Sequence, residues 1–178
     1  MSKIYSKTTH LIFFTAILAV FPFLASAAVA PQSISVINQM PPLSYTVGQT
    51  ITLDLALNTG GNSINALEGT VQVPTDYFDI LGVAYTNNNT RSYFLKLWPE
   101  TPTIHSDGTI TFTGGLPGGS LGGFNGTKGI ILTMSLKIKK SGRASITPAN
   151  NMVLLDDGLA TELGNVKIIP LAITIANK

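Results

Sequence analysis

Gly129-Ile130-Ile131-Leu132-Thr133-Met134-Ser135-Leu136-Lys137-Ile138-Lys139 carries the strongest pattern in the chain. Ile130, Leu132, Met134, Leu136 and Ile138 alternate with Ile131, Thr133, Ser135, Lys137 and Lys139. An extended strand sends successive side chains to opposite faces, so a period of two marks a strand with one face in a core and the other toward solvent. Ile51, Leu53, Leu55 and Leu57 repeat the pattern against Thr50, Thr52, Asp54 and Ala56. Strands with one apolar face need a second apolar layer to cover it, which points to stacked sheets.

Weaker runs extend the reading: Ser33 to Asn38, Ile64 to Val73, Phe78 to Tyr85, Ser92 to Leu97, Thr109 to Thr113, Arg143 to Thr147 and Val166 to Ile175. Clusters that tolerate turn geometry separate them, at Asn58-Thr59-Gly60-Gly61-Asn62, Thr86 to Asn89, Ser106-Asp107-Gly108 and Asp156-Asp157-Gly158. Gly48 allows a turn before the strand at Ile51, and Gly142 turns the chain into Arg143 to Thr147. Pro170 in the last run marks an edge or a bulge. Gly114 to Gly126 is expected to be a long glycine-rich loop crossing between the sheets. It lacks the Gly-Lys-Ser/Thr and following helix of a phosphate cradle. About nine strands with short turns predict an all-β fold, an antiparallel β-sandwich of one domain.

Lys3 and Lys7 precede an apolar run from Leu11 to about Ala25, and Ala25-Ser26-Ala27 supplies small residues at the positions a signal peptidase reads. Residues 1–27 are therefore expected to be a signal peptide, and residues 28–178 a secreted domain. The alternative, an uncleaved anchor from Leu11 to Val29, is opposed by Pro22 and by an apolar core short of the roughly 20 residues a span needs. Cleavage removes two of the eleven Lys and Arg and none of the nine Asp and Glu, leaving a formally neutral domain. Such a domain has no electrostatic footprint for nucleic acid. Its only basic cluster, Lys137, Lys139, Lys140 and Arg143, reads as the solvated end of a strand. The absence of cysteine removes disulfides, thiol catalysis and cysteine-based zinc sites together.

Catalytic groups are sparse. His105 is the only histidine after residue 27, and it sits beside the turn Ser106-Asp107-Gly108. The pairs Asp76 and Asp79, and Asp156 and Asp157, both read as turn carboxylates that hydrogen-bond their own backbone. Asp156-Asp157-Gly158 lacks the spaced ligands and bidentate glutamate of a calcium loop, so neither a metal nor a cofactor is assigned. Asn88-Asn89-Thr90 and Asn125-Gly126-Thr127 match the glycan acceptor pattern. Trp98, the only tryptophan, is a candidate for stacking on a sugar ring. Pro99 and Pro102 beside it point instead to packing at the sandwich rim. The chain reads as a binding module and not an enzyme.

Three stretches in order resemble a cohesin domain, within the wider group of bacterial carbohydrate-binding sandwich modules. The first is Val47-Gly48-Gln49-Thr50 leading into Ile51 to Leu57, then Asn58-Thr59-Gly60-Gly61 and Ile64-Asn65-Ala66-Leu67-Glu68-Gly69-Thr70-Val71. The second is Leu97-Trp98-Pro99-Glu100-Thr101-Pro102, followed by Gly108-Thr109-Ile110-Thr111-Phe112-Thr113-Gly114-Gly115. The third is Gly129 to Lys137 with Lys140-Ser141-Gly142-Arg143-Ala144 and Asp156-Asp157-Gly158-Leu159. Together they cover Ser33 to Ile175.

The resemblance implies a nine-stranded jelly roll acting as a scaffold module. In cellulosomes such a module captures a calcium-loaded dockerin on one flat sheet face. With Leu67, Val71 and Val73 inward, period-two geometry points Ala66, Glu68, Thr70 and Gln72 outward. With Ile110 and Phe112 inward, Thr111 and Thr113 point out. Glu68, Thr70, Gln72, Thr111 and Thr113 are thus the expected partner-binding residues, and Trp98 the expected contact in the alternative of polysaccharide binding. Cellulosomal cohesins carry Asn and Asp where this chain has Ala66 and Glu68, and an acidic stretch where it has Gly114 and Gly115. Of these, Glu68 alone is chemically similar.

Overall fold

The computed structural model describes residues 30–39, 41, 44–87, 91–118 and 122–177. The expected signal peptide, residues 1–27, and the acceptor pattern at Asn88 lie outside them. Every regular element described is a strand: β1 (Ser33–Ile37), β2 (Tyr45–Thr46), β3 (Thr50–Asn58), β4 (Ile64–Gln72), β5 (Phe78–Ala84), β6 (Leu97–Ile104), β7 (Thr109–Gly115), β8 (Gly129–Ile138), β9 (Gly142–Leu155), β10 (Lys167–Ile169) and β11 (Leu171–Ala176). They form a five-stranded sheet in the order β10-β1-β3-β8-β5 and a six-stranded sheet in the order β2-β11-β9-β4-β7-β6. The inner faces share one core. Ile51, Leu53, Leu55 and Leu57 of β3 meet Leu67 and Val71 of β4, Ile110 and Phe112 of β7, and Ile146 and Val153 of β9, all buried. Each such side chain contributes about 1.5–3 kcal/mol by leaving water.

The sandwich is the expected one, with four differences in detail. Among the described residues eleven strands stand where nine were expected, because the two-residue strand β2 is added and the run from Val166 to Ile175 divides at Pro170. Proline lacks the N–H a ladder needs, so β10 joins one sheet and β11 the other. β10 pairs with β1, and β11 with β2, in parallel, so both sheets are mixed. The strand expected at Ser92 to Leu97 is displaced. Tyr93 makes only an isolated bridge to Ile130, and β6 begins at Leu97 and runs through both prolines to Ile104. Gly114 and Gly115 are not loop residues; they pair with Leu67 and Ala66 at the end of β7. Beyond them the chain does cross between the sheets, from β7 to β8.

A bulge between Leu55 and Ala56 interrupts the alternation in β8, the most regular run in the sequence. Leu55 faces Leu132 while Ala56 faces Ile130, so Ile131 is the extra residue. Ile131 becomes fully buried and Ile130 only partly so, the reverse of strict alternation.

Gly48 has φ +89 and supports the turn into β3 as expected. Asp76 lies in a turn, but Asp79 lies in β5 and pairs with Lys139 of the basic cluster at 3.0 Å. Lys140 sits 5.5 Å from the centre of the Tyr77 ring.

Candidate docking face

The outer face of the four strands β9-β4-β7-β6 is built of rows that the strand register defines. Leu154, Ala66, Gly115 and Leu97 form the first row, and Met152, Glu68, Thr113 and Glu100 the second. Ala149, Thr70, Thr111 and Thr103 form the third, and Thr147, Gln72 and Thr109 the fourth. The five residues expected to point outward therefore do so, and they share one surface. Opposite each of them inside lie Leu67, Val71, Ile110 and Phe112, whose burial forces the alternate positions out.

The face is ordered by its own hydrogen bonds. Thr70 donates to the Ala149 carbonyl at 2.8 Å, and Thr113 donates to Glu100 at 3.5 Å. Thr111 meets the Nε2 of His105 at 3.0 Å, so that histidine serves the sheet end. Gln72 donates to the Asp107 carbonyl at 3.0 Å and accepts from Thr109 at 2.9 Å. Its amide thereby braces the β7 turn. The Asp107 carboxyl is held below its ordinary value, chiefly by the Thr109 backbone N–H it accepts from. Asp157 is lowered too, first by the Thr161 side chain and then by the Leu159 N–H. Both are turn carboxylates, as expected.

Beneath the face lies a feature that strand periodicity does not reveal. β9 bulges opposite Glu68 and Thr70, where Asn150 adopts φ 49. The next residue, Asn151, buries its amide with neither Nδ2 nor Oδ1 hydrogen-bonded. Gly69 makes the space: a Cβ placed there would stand 2.1 Å from Asn151 Oδ1. The sequence signal was the lone glycine inside the β4 pattern, which marks a bulge or a close approach.

The other outer face is partly covered. Asp54 of β3 points outward but is buried, accepting from Thr133 at 2.7 Å and from Gln39, and pairing with Arg91 at 3.3 Å. Tyr93, also buried, donates to Thr133 at 3.0 Å. Alternation places Asp54 on the solvent side of its strand. What it cannot show is that the connection carrying Arg91 and Tyr93 folds back over it.

Trp98 is half-buried. Its ring meets Tyr85 edge-on, with centres 5.0 Å apart and planes at 64°, and it packs over Gly114. The amide of Asn125 is committed internally, donating to the Gly61 carbonyl at 2.8 Å and accepting from Thr59. The acceptor pattern there is part of the clamp joining the β3–β4 turn to the glycine-rich crossing. Among the described residues no three metal-ligating side chains converge, and no helix is long and apolar enough to cross a membrane.

No protein-family model matches this sequence, and neither does any curated protein. Solved structures do match. A cohesin module of a family 33 glycoside hydrolase from Clostridium perfringens aligns with TM-score 0.57 at 14% identity, over 85% of this chain and 100% of that one. A non-cellulosomal cohesin from the archaeon Archaeoglobus fulgidus aligns with TM-score 0.61 at 11% identity, over 83% of this chain and 92% of that one. A type I cohesin–dockerin complex from Clostridium thermocellum contains a chain that aligns with TM-score 0.59 at 14% identity, over 83% of this chain and 100% of that one. The fold is the cohesin fold.

Proposed function

We propose that this chain is a secreted, non-catalytic docking module that receives a dockerin-type protein on the outer face of β9-β4-β7-β6, with Glu68, Thr70, Gln72, Thr111 and Thr113 at the contact. The observation that carries the reading is the contrast between the two sheets. One outer face is sealed in part by the Asp54–Arg91–Tyr93 cover, while on the other Glu68, Gln72 and Glu100 are exposed and four strands set aliphatic, hydroxyl and acid groups in rows. A neighbour of the same fold is solved as a cohesin–dockerin complex, which makes a dockerin the first partner to test. Asp54, Asp79, Asp107 and Asp157 are each engaged in an ion pair or a turn, and the two carboxylates that share the open face, Glu68 and Glu100, line a shallow depression, which supports a binding role over a catalytic one. The leader in residues 1–27 supports export, and a polysaccharide-degrading assembly is the setting in which a dockerin partner would act.

The test is binding of purified dockerin modules, and of the secreted proteins of the source organism, to immobilised wild-type protein and to two arginine variants. Thr70→Arg is expected to weaken capture at least a hundredfold by placing bulk and charge at the centre of the face. Thr52→Arg, exposed on the other sheet, is expected to change it less than twofold. Equal capture by all three proteins overturns the reading. Retardation on soluble glycans that disappears in Trp98→Ala replaces it with polysaccharide binding. The edge-on packing of that ring against Tyr85 gives a sugar no flat platform.

A further inference from the structure

A shallow depression of about 250 Å³ opens at the middle of the same face, lined by Glu68, Gly69, Thr70, Glu100, Thr111 and Thr113 among others. Resting on the docking role proposed above, we infer that the partner inserts an arginine here, between Glu68 and Glu100, flanked by an aliphatic side chain on the Leu97 side.

Thr113 faces Glu68 on β4 and Glu100 on β6. Neighbouring strands are about 4.8 Å apart, so the two carboxylates rise from backbones about 10 Å apart with a hydroxyl between them. Both side chains are exposed, and among the described residues neither has an ion-pair partner; the ion pairs are Arg91–Asp54 and Lys139–Asp79. Two like charges that no described residue neutralises favour a cation between them. Two carboxylates and a hydroxyl are too few oxygens for calcium, which takes six to eight. An arginine side chain fits better: its planar fork offers five donors, enough to reach both carboxylates and the Thr113 hydroxyl together.

The neighbouring row supplies the second half of the recognition. Ala66, Gly115 and Leu154 lie two residues along their strands, about 6.8 Å away, and Leu97 joins their row across the register slip of β6. Leu97 is 48% exposed, so aliphatic surface awaits a cover on that side. A partner surface therefore needs an aliphatic group and a guanidinium about 6 to 7 Å apart. On a helix, positions i and i+4 are separated by about 6 Å along the axis and share one face. The bare carboxylates set the charge of the partner, and the row spacing sets the distance between its two contacts.

The experiment is selection of a displayed library of helical peptides against the purified protein, with the Glu68→Gln/Glu100→Gln and Thr70→Arg variants as counter-targets. The inference expects enriched peptides to carry arginine four positions from Leu, Ile or Met. Their affinity should fall about fivefold for each glutamate neutralised, about 1 kcal/mol, weaken with added salt, and fall again when arginine is replaced by lysine. Enriched peptides that need an intact Thr70 but bind Glu68→Gln/Glu100→Gln as tightly as wild type overturn the arginine site and leave the docking face standing. Peptides indifferent to all the variants overturn both.

Discussion

Gly69 and Asn151 form a lock in which each explains the other. In a strand interior glycine costs about 0.5–1 kcal/mol relative to alanine, so its presence in β4 needs a compensating contact. That contact is the Asn151 side chain, which enters the space a Cβ would fill and buries an amide without hydrogen bonds. Gly69→Ala is expected to destabilise the protein by about 1–3 kcal/mol, because the Cβ overlaps the carboxamide. Asn151→Ala is expected to be nearly neutral, since the cavity it leaves is offset by removing an unsatisfied buried amide. The double variant should recover about 1–2 kcal/mol of the Gly69→Ala loss, a coupling that urea titration of the four proteins measures. Additive losses would mean that the two residues do not share the space.

β6 shows how a strand can close a sheet without inviting another chain. It is the free edge of the six-stranded sheet, and its pairing with β7 slips on either side of Glu100. Pro99 and Pro102 lie in that irregular stretch and cannot donate to an added strand. Replacing both with valine is expected to supply the missing N–H groups and a continuous β-branched edge. The variant should then self-associate at concentrations where wild type stays monodisperse in sedimentation velocity. Unchanged sedimentation would assign the prolines another role. The same irregularity explains why the strand was expected one segment too early. Ser92 to Leu97 has the apolar content of a strand, but Tyr93, Phe94 and Leu95 spend it filling the core and the cover. The proline-bearing segment takes the edge.

The molecule treats its two outer surfaces differently, and Asp54 is the hinge of that difference. A carboxylate removed from water needs partners, and it has them in Thr133, Gln39 and Arg91. Asp54→Ala is expected to cost about 2–4 kcal/mol, because it removes the buried carboxylate that accepts from Thr133 and pairs with Arg91. Amide exchange should quicken selectively at Arg91 to Leu95 and not in β4 or β7. Uniform acceleration would show that Asp54 supports the whole core and not the cover alone.

Much of this architecture was legible in one dimension. Period two depends only on strand geometry, so β3, β4 and β7, their buried sets and the outward residues Glu68, Thr70, Gln72, Thr111 and Thr113 could be read from spacing. Proline chemistry marked the break at Pro170, and glycine the turn at Gly48. Bulges, sheet membership and parallel pairing were not legible, because they depend on which strand lies alongside, and no local pattern encodes a neighbour. The residues that give the docking face its chemistry fall between these cases. That Glu68 points outward follows from alternation. That Glu100 joins it across Thr113, that Asn151 lies below, and that the opposite sheet is covered are matters of register and chain return, which exist only once the sheets have stacked.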